Sequence, residues 1–463
     1  MQPEHAEAQY NLAHILGAQG YAHQERGEPE LAIENYLEAL SLAPGMARVH
    51  NNLGNAYNSA GRPQQAVAAF REAIDLEPGL AEAHLNLAMA LQQSGEDETQ
   101  AAAHYRRAAE ISPNLAEAQL NLGVLLEKEG DPAGAKECYA RAVTARRDFA
   151  EAHFNYALQL LLAGDFARGW EEYEWRMRLP DLARYWPYPD RPRWEGSPLD
   201  GKVILLYAEQ GFGDAIQFVR YAPLVAARGG RVIAICQPKL KALFEGAPGL
   251  SAAYNAGEPD PEFDVCCSLL SLPRLFGTTL QTIPARVPYL NADREKYLHW
   301  KARLAQGDRA MRVGLVWASQ SSNATARSRS LDLDLFAPLA GIRGVEFYSL
   351  QKGPGAEQAA RPPQGMQLRD CGGALEDFSD TAALISNLDL VISIDTAVAH
   401  LAGALAKPVW TMTNWPPEWR WLLGRDDSPW YPTMCLFRRC RTEQWEQVIG
   451  RVAETLRERA ANR

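Results

Sequence analysis

From residue 47 to residue 147 the apolar positions repeat three times in one order, at the three-and-four spacing of amphipathic helices. The copies are ARVHNNLGNAYNSAGRPQQAVAAFREAIDLEP (47–78), AEAHLNLAMALQQSGEDETQAAAHYRRAAEISP (81–113) and AEAQLNLGVLLEKEGDPAGAKECYARAVTARR (116–147). Pro44, Pro78 and Pro113 lie 34 and 35 residues apart, with the extra residue in the GEDET turn, and each ends a second helix. Gly61, Gly95 and Gly130 mark the turn inside each pair, while Gly54, Ala88 and Gly123 are small enough for close helix packing. A fourth copy starts at 150, and a first unit at 6–44 is longer by seven residues, about two helical turns. Past residue 178 this period stops. LPDLARYWPYPDRPRWEGSPLDG (179–201) reads as a linker rich in proline and aromatics, packed on a neighbour. Strand-like runs follow, with helical stretches between them. KVILLYAEQGFGDAIQFVRYAPLVAARGGRVIAICQP (202–238) reads strand, Gly-rich turn, helix, strand, and FDVCCSLLSLP (263–273) adds another strand. A second set begins after about residue 308 with VGLVWA (313–318), VEFYSL (345–350), LDLVISID (388–395) and KPVWTM (407–412). Alternating strands and helices predict parallel sheets covered on both faces.

The repeats resemble the tetratricopeptide pattern from residue 6 to about 178. Such units bury one face against each other and curl into a superhelix with a concave groove. Asn11, Asn52, Asn86, Asn121 and Asn155 are read at one position in successive first helices. Asparagine is a mediocre helix former whose amide both donates to and accepts from a peptide backbone. Asn52, Asn86, Asn121 and Asn155 are therefore candidate polypeptide-binding residues, set against the plainer reading that asparagine is common at this position of such repeats. An insertion placed after Gly20 would tilt Asn11 out of the column. The arm resembles that of O-GlcNAc transferases, in which equivalent asparagines hold the protein substrate.

Composition narrows the function classes. The net charge of -10 resides in residues 1–150, with 11 Lys and Arg against 21 Asp and Glu. An acidic arm repels phosphates, so no nucleic-acid partner is expected. No apolar run reaches the roughly 20 residues of a membrane span. The start, MQPEHAEAQYNLAHILG, has neither a basic nor an apolar leader region. Seven cysteines in no zinc-binding spacing suit reduced thiols and a cytoplasmic location.

Two turns carry candidate chemistry. In AEQGFGDAIQF (208–218), Gly211 and Gly213 let the backbone approach a ligand, and Asp214 begins a helix at a strand's carboxyl end. By position alone Asp214 reads first as the N-cap of that helix. In VISIDTAVAHLAGALAKPVW (391–410), Asp395 and Thr396 leave a buried strand and open a helix whose free N–H groups favour an anion. His400 lies one turn along.

The motifs GFGDAIQF and DTAVAHLAGALAKP resemble the heptosyltransferase-type glycosyltransferases of family 9. Nearly the whole chain resembles bacterial proteins that fuse tetratricopeptide repeats to such a domain. The resemblance implies an α-solenoid followed by an α/β GT-B fold, two Rossmann-like domains facing a cleft. The boundaries are an arm at 1–178, a linker at 179–201, an acceptor domain at 202–307, a donor-binding domain at 308–441 and a helix at 442–463 that crosses back. It implies Asp214 as general base toward an acceptor hydroxyl. Donor-binding residues would be Asp395, Thr396, Ala397 and His400, with Ser319, Arg329 and Ser330 from the loop SQSSNATARSRS, and Gln351 and Lys352 from SLQKG. Arg327 competes with Arg329. LEDFSDTAALI (375–385) would border the nucleotide base. The implied activity is inverting transfer from a nucleotide sugar to Ser or Thr of a protein, flagellin among the acceptors, with no cofactor and no metal. A glycan or lipid-linked-sugar acceptor, with the arm used for assembly, and a non-catalytic repeat scaffold are the alternatives. Asp332 and Asp334 in DLDLD read as a helix start, and Trp415, Trp419, Trp421 and Trp430 as packing in preference to sugar stacking.

Overall fold

The computed structural model describes residues 3–95, 98–183, 187–304, 310–319 and 324–462. Glu96 and Asp97 of the third repeat's turn, linker residues 184–186, the inter-domain residues 305–309 and loop residues 320–323 lie outside the described residues. The chain divides into two compact units, Met1–Tyr156 and Ala157–Arg463.

The first unit is built of antiparallel helix pairs. They are α1 (Pro3–Glu25) with α2 (Pro29–Leu42), α3 (Ala47–Ser59) with α4 (Pro63–Leu76), α5 (Ala81–Ser94) with α6 (Glu98–Ile111), and α7 (Ala116–Lys128) with α8 (Pro132–Ala145). In three of these pairs a glycine of the first helix meets an aromatic ring in the second. A Cβ on Gly20 would lie 2.7 Å from the Tyr36 ring, on Gly54 2.5 Å from Phe70, and on Gly123 2.4 Å from Tyr139. A methyl group there would overpack the pair. Gly27, Gly61, Gly95 and Gly130 take positive φ between the paired helices, a conformation that favours glycine.

This contact corrects the register of the first repeat. The helix α1 is continuous, and Gly20 holds the place of Gly54, so Ala18, not Asn11, aligns with Asn52. The seven extra residues lie at the N-terminal end of α1 rather than after Gly20, and Asn11 is exposed two turns before the column.

The second unit begins within α9 (Ala150–Leu162), which pairs with α10 (Phe166–Tyr173). The repeat pattern extends to residue 178, yet the compact units divide at Tyr156 because this last pair is sealed into the α/β body. Trp170 is 2% exposed and its indole N–H donates to the Thr278 carbonyl (3.1 Å). Arg176 is fully buried, with Nη2 donating to Glu209 (2.7 Å) and Ser271 (2.9 Å), and Nη1 to Glu174 (2.7 Å). A buried guanidinium is tolerated only when its donors are satisfied in this way. Of the linker, Tyr188, Trp194 and Leu199 are buried, and Trp194 N–H donates to the Cys266 carbonyl (2.9 Å).

Two parallel sheets follow. The first has the order β3-β2-β1-β4, from β1 (Val203–Tyr207), β2 (Arg231–Cys236), β3 (Ala252–Asn255) and β4 (Val265–Ser268). The second comprises β5 (Met311–Val316), β6 (Val345–Ser349), β7 (Leu368–Asp370), β8 (Leu390–Ile394), β9 (Val409–Thr413) and β10 (Met434–Arg438). Its order, β10-β9-β8-β5-β6-β7, reverses direction between β5 and β8. Ligands of such sheets bind beyond the strand ends at this reversal. The edge strands β3, β7 and β10 have no counterpart in the sequence reading. The C-terminal helix Trp445–Ala461 does not behave as expected either. Val448, Ile449, Val452 and Leu456 join the core of the second sheet with Leu315, Ile392 and Phe336, and Arg457 donates to the Pro338 carbonyl (2.8 Å). Its apolar stripe matches the second domain's own uncovered core, so it closes that domain rather than crossing back.

Candidate active site

The turn after β1 is prepared by the buried network just described, because Glu209 stands two residues before Gly211. Gln210 takes φ +63, its carbonyl accepting from Gln237 Nε2 (2.9 Å), and the helix Phe212–Phe218 starts at once. Asp214 is in the first turn of that helix. Its Oδ2 accepts from the Gly211 N–H (3.0 Å), so Gly211 is the N-cap and Asp214, the third helical residue, reaches back to it instead of being the N-cap that its position suggests. Its Oδ1 is not used in the cap. It faces Arg420, with which it forms an ion pair.

One cavity of about 470 Å³ opens between the two sheets, lined from the first by Gly211, Phe212, Gly213, Asp214 and Lys239. From the second domain it receives Ser319, Arg329, Gln351, Lys352, Asp395, Thr396, Ala397 and His400. Of the catalytic and donor residues expected from sequence, Ser330 alone is not on this wall; its hydroxyl accepts from the Ser319 N–H (3.0 Å), behind the lining. Arg329 lines the cavity and Arg327 does not, which separates the two competitors. Arg329 Nη1 donates to Asp395 Oδ2 (3.1 Å), at the point where β8 gives way to the helix Ala397–Ala404. Lys352 is half-buried and has no ion pair among the described residues. Two cationic side chains and the N-terminus of that helix thus line the same cavity, a set of groups suited to phosphate.

Gln351 differs from expectation. Its Oε1 accepts from the Trp317 (3.1 Å) and Ala318 (2.9 Å) N–H groups, and its Nε2 donates to the Ala318 (2.9 Å), Lys352 (3.1 Å) and Pro354 (3.0 Å) carbonyls. The amide is fully engaged in joining two loops, so it shapes the wall and has no spare group for a ligand. His400 is also held from behind. Its Nδ1 shares a hydrogen bond with Tyr431 Oη (2.9 Å), and its ring stacks on Trp421 (5.2 Å, 23°). Burial, then the guanidinium groups of Arg420, Arg220 and Arg329, push its pKa well below the usual imidazole value, so it is neutral.

The segment expected to border a base contributes Glu376, Asp377, Phe378 and Thr381. Asp377 caps the helix Phe378–Ser386, and Lys296 pairs with Asp377 (3.3 Å) and Asp380 (2.8 Å). Phe378 meets Phe212 across the cavity at 5.0 Å.

Sequence reasoning missed Lys239, Glu418 and Arg420. The last two lie in the run 413–437, whose buried tryptophans pack as expected: Trp419 against Trp170 (5.3 Å) and Trp430 (6.2 Å), Trp421 against His400. Asp332 is likewise the cap of a 3-10 turn. A usable signal existed in EWRW, where a charged side chain between two anchored tryptophans must be buried and partnered. Loss of water contact raises the Glu418 carboxyl to about 7; Arg420 opposes this, and Asp395 and Asp214 reinforce it.

Tetratricopeptide repeats match residues 18–81, 59–116 and 120–174, and glycosyltransferase family 9 (heptosyltransferase) matches residues 352–413. The latter stretch holds Lys352, the Glu376–Thr381 segment and the Asp395–His400 turn. Protein FlbA of Caulobacter vibrioides is 31% identical over 364 residues, covering 71% of this chain and 59% of that protein. The chain thus spans about three-fifths of that relative, 59% of its length. A glycosyl transferase family 9 crystal structure from Veillonella parvula aligns with 57% of this chain and 92% of its own, at 11% identity and a TM-score of 0.42. YrrB, a repeat protein with an unusual peptide-binding site, aligns with 35% of this chain and 83% of its own, at 20% identity and a TM-score of 0.29. The chain therefore joins tetratricopeptide repeats to a glycosyltransferase family 9 domain.

Proposed function

We propose that this chain transfers a sugar from a nucleotide donor to a Ser or Thr hydroxyl of a polypeptide held by the repeat arm, with inversion and without a metal. The observation that carries this reading is a single cavity that sets Asp214 opposite Arg329, Lys352 and the Thr396–Val398 helix start. Asp214 takes the proton of the acceptor hydroxyl as its oxygen bonds to the anomeric carbon. The bond from that carbon to the donor phosphate oxygen breaks on the opposite side. Arg329, Lys352 and the helix N–H groups meet the negative charge that develops on the phosphate. No second carboxylate is assigned as a nucleophile, so one displacement inverts the anomeric centre. The seven cysteines are free thiols, consistent with work in the cytoplasm. No helix among the described residues is long and apolar enough to cross a membrane.

The arm supports the polypeptide acceptor through its asparagines. Asn86 Nδ2 donates to Asn51 Oδ1 (3.0 Å), and Asn121 Nδ2 donates to the Glu117 carbonyl (2.9 Å). Each amide is thereby oriented with its Oδ1 left to accept from a peptide N–H. Losing two such bonds, at about 1 kcal/mol each, raises KM for the protein roughly 10- to 30-fold. The test is nucleotide release from UDP-, GDP-, ADP- and CMP-linked sugars, with the host's flagellin as first acceptor and intact-mass readout. Asn86→Ala with Asn121→Ala is expected to raise KM for flagellin and leave donor affinity unchanged. Equal KM in both proteins would remove the arm from substrate binding and favour a glycan acceptor.

A further inference from the structure

We propose that Arg420 is the positioning residue of the transfer, fixing the base Asp214 from the opposite domain. This rests on the reading of Asp214 as base. The residue lies in a short 3-10 turn, Trp419–Trp421, between β9 and β10, whereas Asp214 and Gln217 belong to the helix that follows β1. The two helical positions are three residues apart and so share one face. Both point at the same guanidinium: Nε donates to Gln217 Oε1 (2.6 Å) and Nη2 to Asp214 Oδ1. The third arm of the fork, Nη1, pairs with Glu418 of Arg420's own loop, and that carboxylate also accepts the Arg420 backbone N–H (3.0 Å).

The turn that presents Arg420 has little freedom. Trp419 stacks on Phe218 at 6.4 Å and Trp421 on His400 at 5.2 Å, and the guanidinium lies 4.2 Å above the Trp419 ring. Asp214 is consequently held at both oxygens, by its own Gly211 N–H within the acceptor-side turn and by Arg420 from the donor-side domain. The first contact fixes the carboxylate in its helix. The second exists only when the two sheets stand at their present separation. The base therefore reaches its working position only when the donor-side domain is in place behind it. A fork with three directed donors is needed, and a lysine ammonium on a flexible stem does not reproduce it.

The test compares Arg420→Lys, Arg420→Gln and Asp214→Asn in nucleotide release from the UDP-, GDP-, ADP- and CMP-sugar panel with protein acceptor. A base displaced by about 1 Å is expected to lose about 100-fold in kcat. R420K and R420Q should show that loss, with donor KM within about threefold of wild type and the donor-induced rise in melting temperature retained. A residue that only stabilised the fold would lower the melting temperature and the active fraction alike. Gln217→Ala, which loosens only the Nε contact, should lower kcat by about tenfold, again at constant donor KM. If D214N is inactive while R420K turns over at the wild-type rate, or loses only donor KM, the proposal for Arg420 is overturned and the base assignment stands. If D214N retains wild-type transfer, the base assignment fails and Arg420's action through it fails with it.

Discussion

Gly213 offers a sharp test of how closely the two domains meet. It lies in the first turn of the helix Phe212–Phe218, and a Cβ there would stand 2.9 Å from His400 Cδ2 and 3.4 Å from Nε2. Carbon atoms in ordinary contact stand about 3.5–4.0 Å apart, so the overlap is roughly 0.6 Å or more. His400 has no direction in which to retreat, since Tyr431 holds its Nδ1 and Trp421 covers its face. The backbone of Gly213 is not in the left-handed region, so alanine is conformationally allowed and gains up to about 1 kcal/mol of helix propensity. Overpacking a fixed neighbour costs about 1–3 kcal/mol. With the full propensity gain the balance is a net loss centred near 1 kcal/mol, and at most about 2 kcal/mol, for Gly213→Ala. Urea unfolding should show a lower midpoint at unchanged m-value. In a His400→Ala background the clash is gone, and G213A should then be neutral or stabilising. A G213A protein as stable as wild type, or an equal loss with and without His400, would refute the close approach.

Other expectations follow from the buried charges. Glu418 has its folded carboxyl raised to about 7 from an ordinary 4.5, so the native state keeps a proton that the unfolded chain releases. Stability should therefore fall as pH rises from about 4.5 to about 7, and Glu418→Gln should remove that part of the slope. The groups facing Glu418 are Arg420, Asp395 and Asp214, so parallel curves for the two proteins would mean that Glu418 is not the group responsible. Arg176→Met leaves Glu209 buried without its cation and should cost about 3–5 kcal/mol. Adding Glu209→Gln should recover a large part of this in chemical denaturation, and no recovery would contradict the pairing.

The parts of the molecule legible in the sequence are those whose cause is local. The repeat is written in Gly, Pro and aromatic residues at fixed spacing, and each acts within one helix pair. The turns at Gly211–Asp214 and Asp395–His400 stand at strand ends, where buried runs give way to small residues. The register of α1 is not legible locally because its apolar spacing continues without a break through two added turns, and only the Gly20–Tyr36 contact fixes it. Gln351 looked available because sequence does not show the five backbone groups around its amide. Arg420 and Glu418 were hidden for a further reason. Their meaning depends on a helix about 200 residues away, and no local pattern encodes a contact between two domains. The edge strands β3, β7 and β10 are three to five residues long and lack the uniform apolar character of the central strands.

The most direct test of the proposed chemistry compares wild type and Asp214→Asn with the sugar nucleotide that stabilises the protein. D214N should still show the donor-induced rise in melting temperature, because Arg329, Lys352 and the Thr396–Val398 helix start are untouched. Mass spectrometry should find the sugar on the acceptor protein with wild type and none with D214N. Equal sugar addition by both proteins would contradict the account.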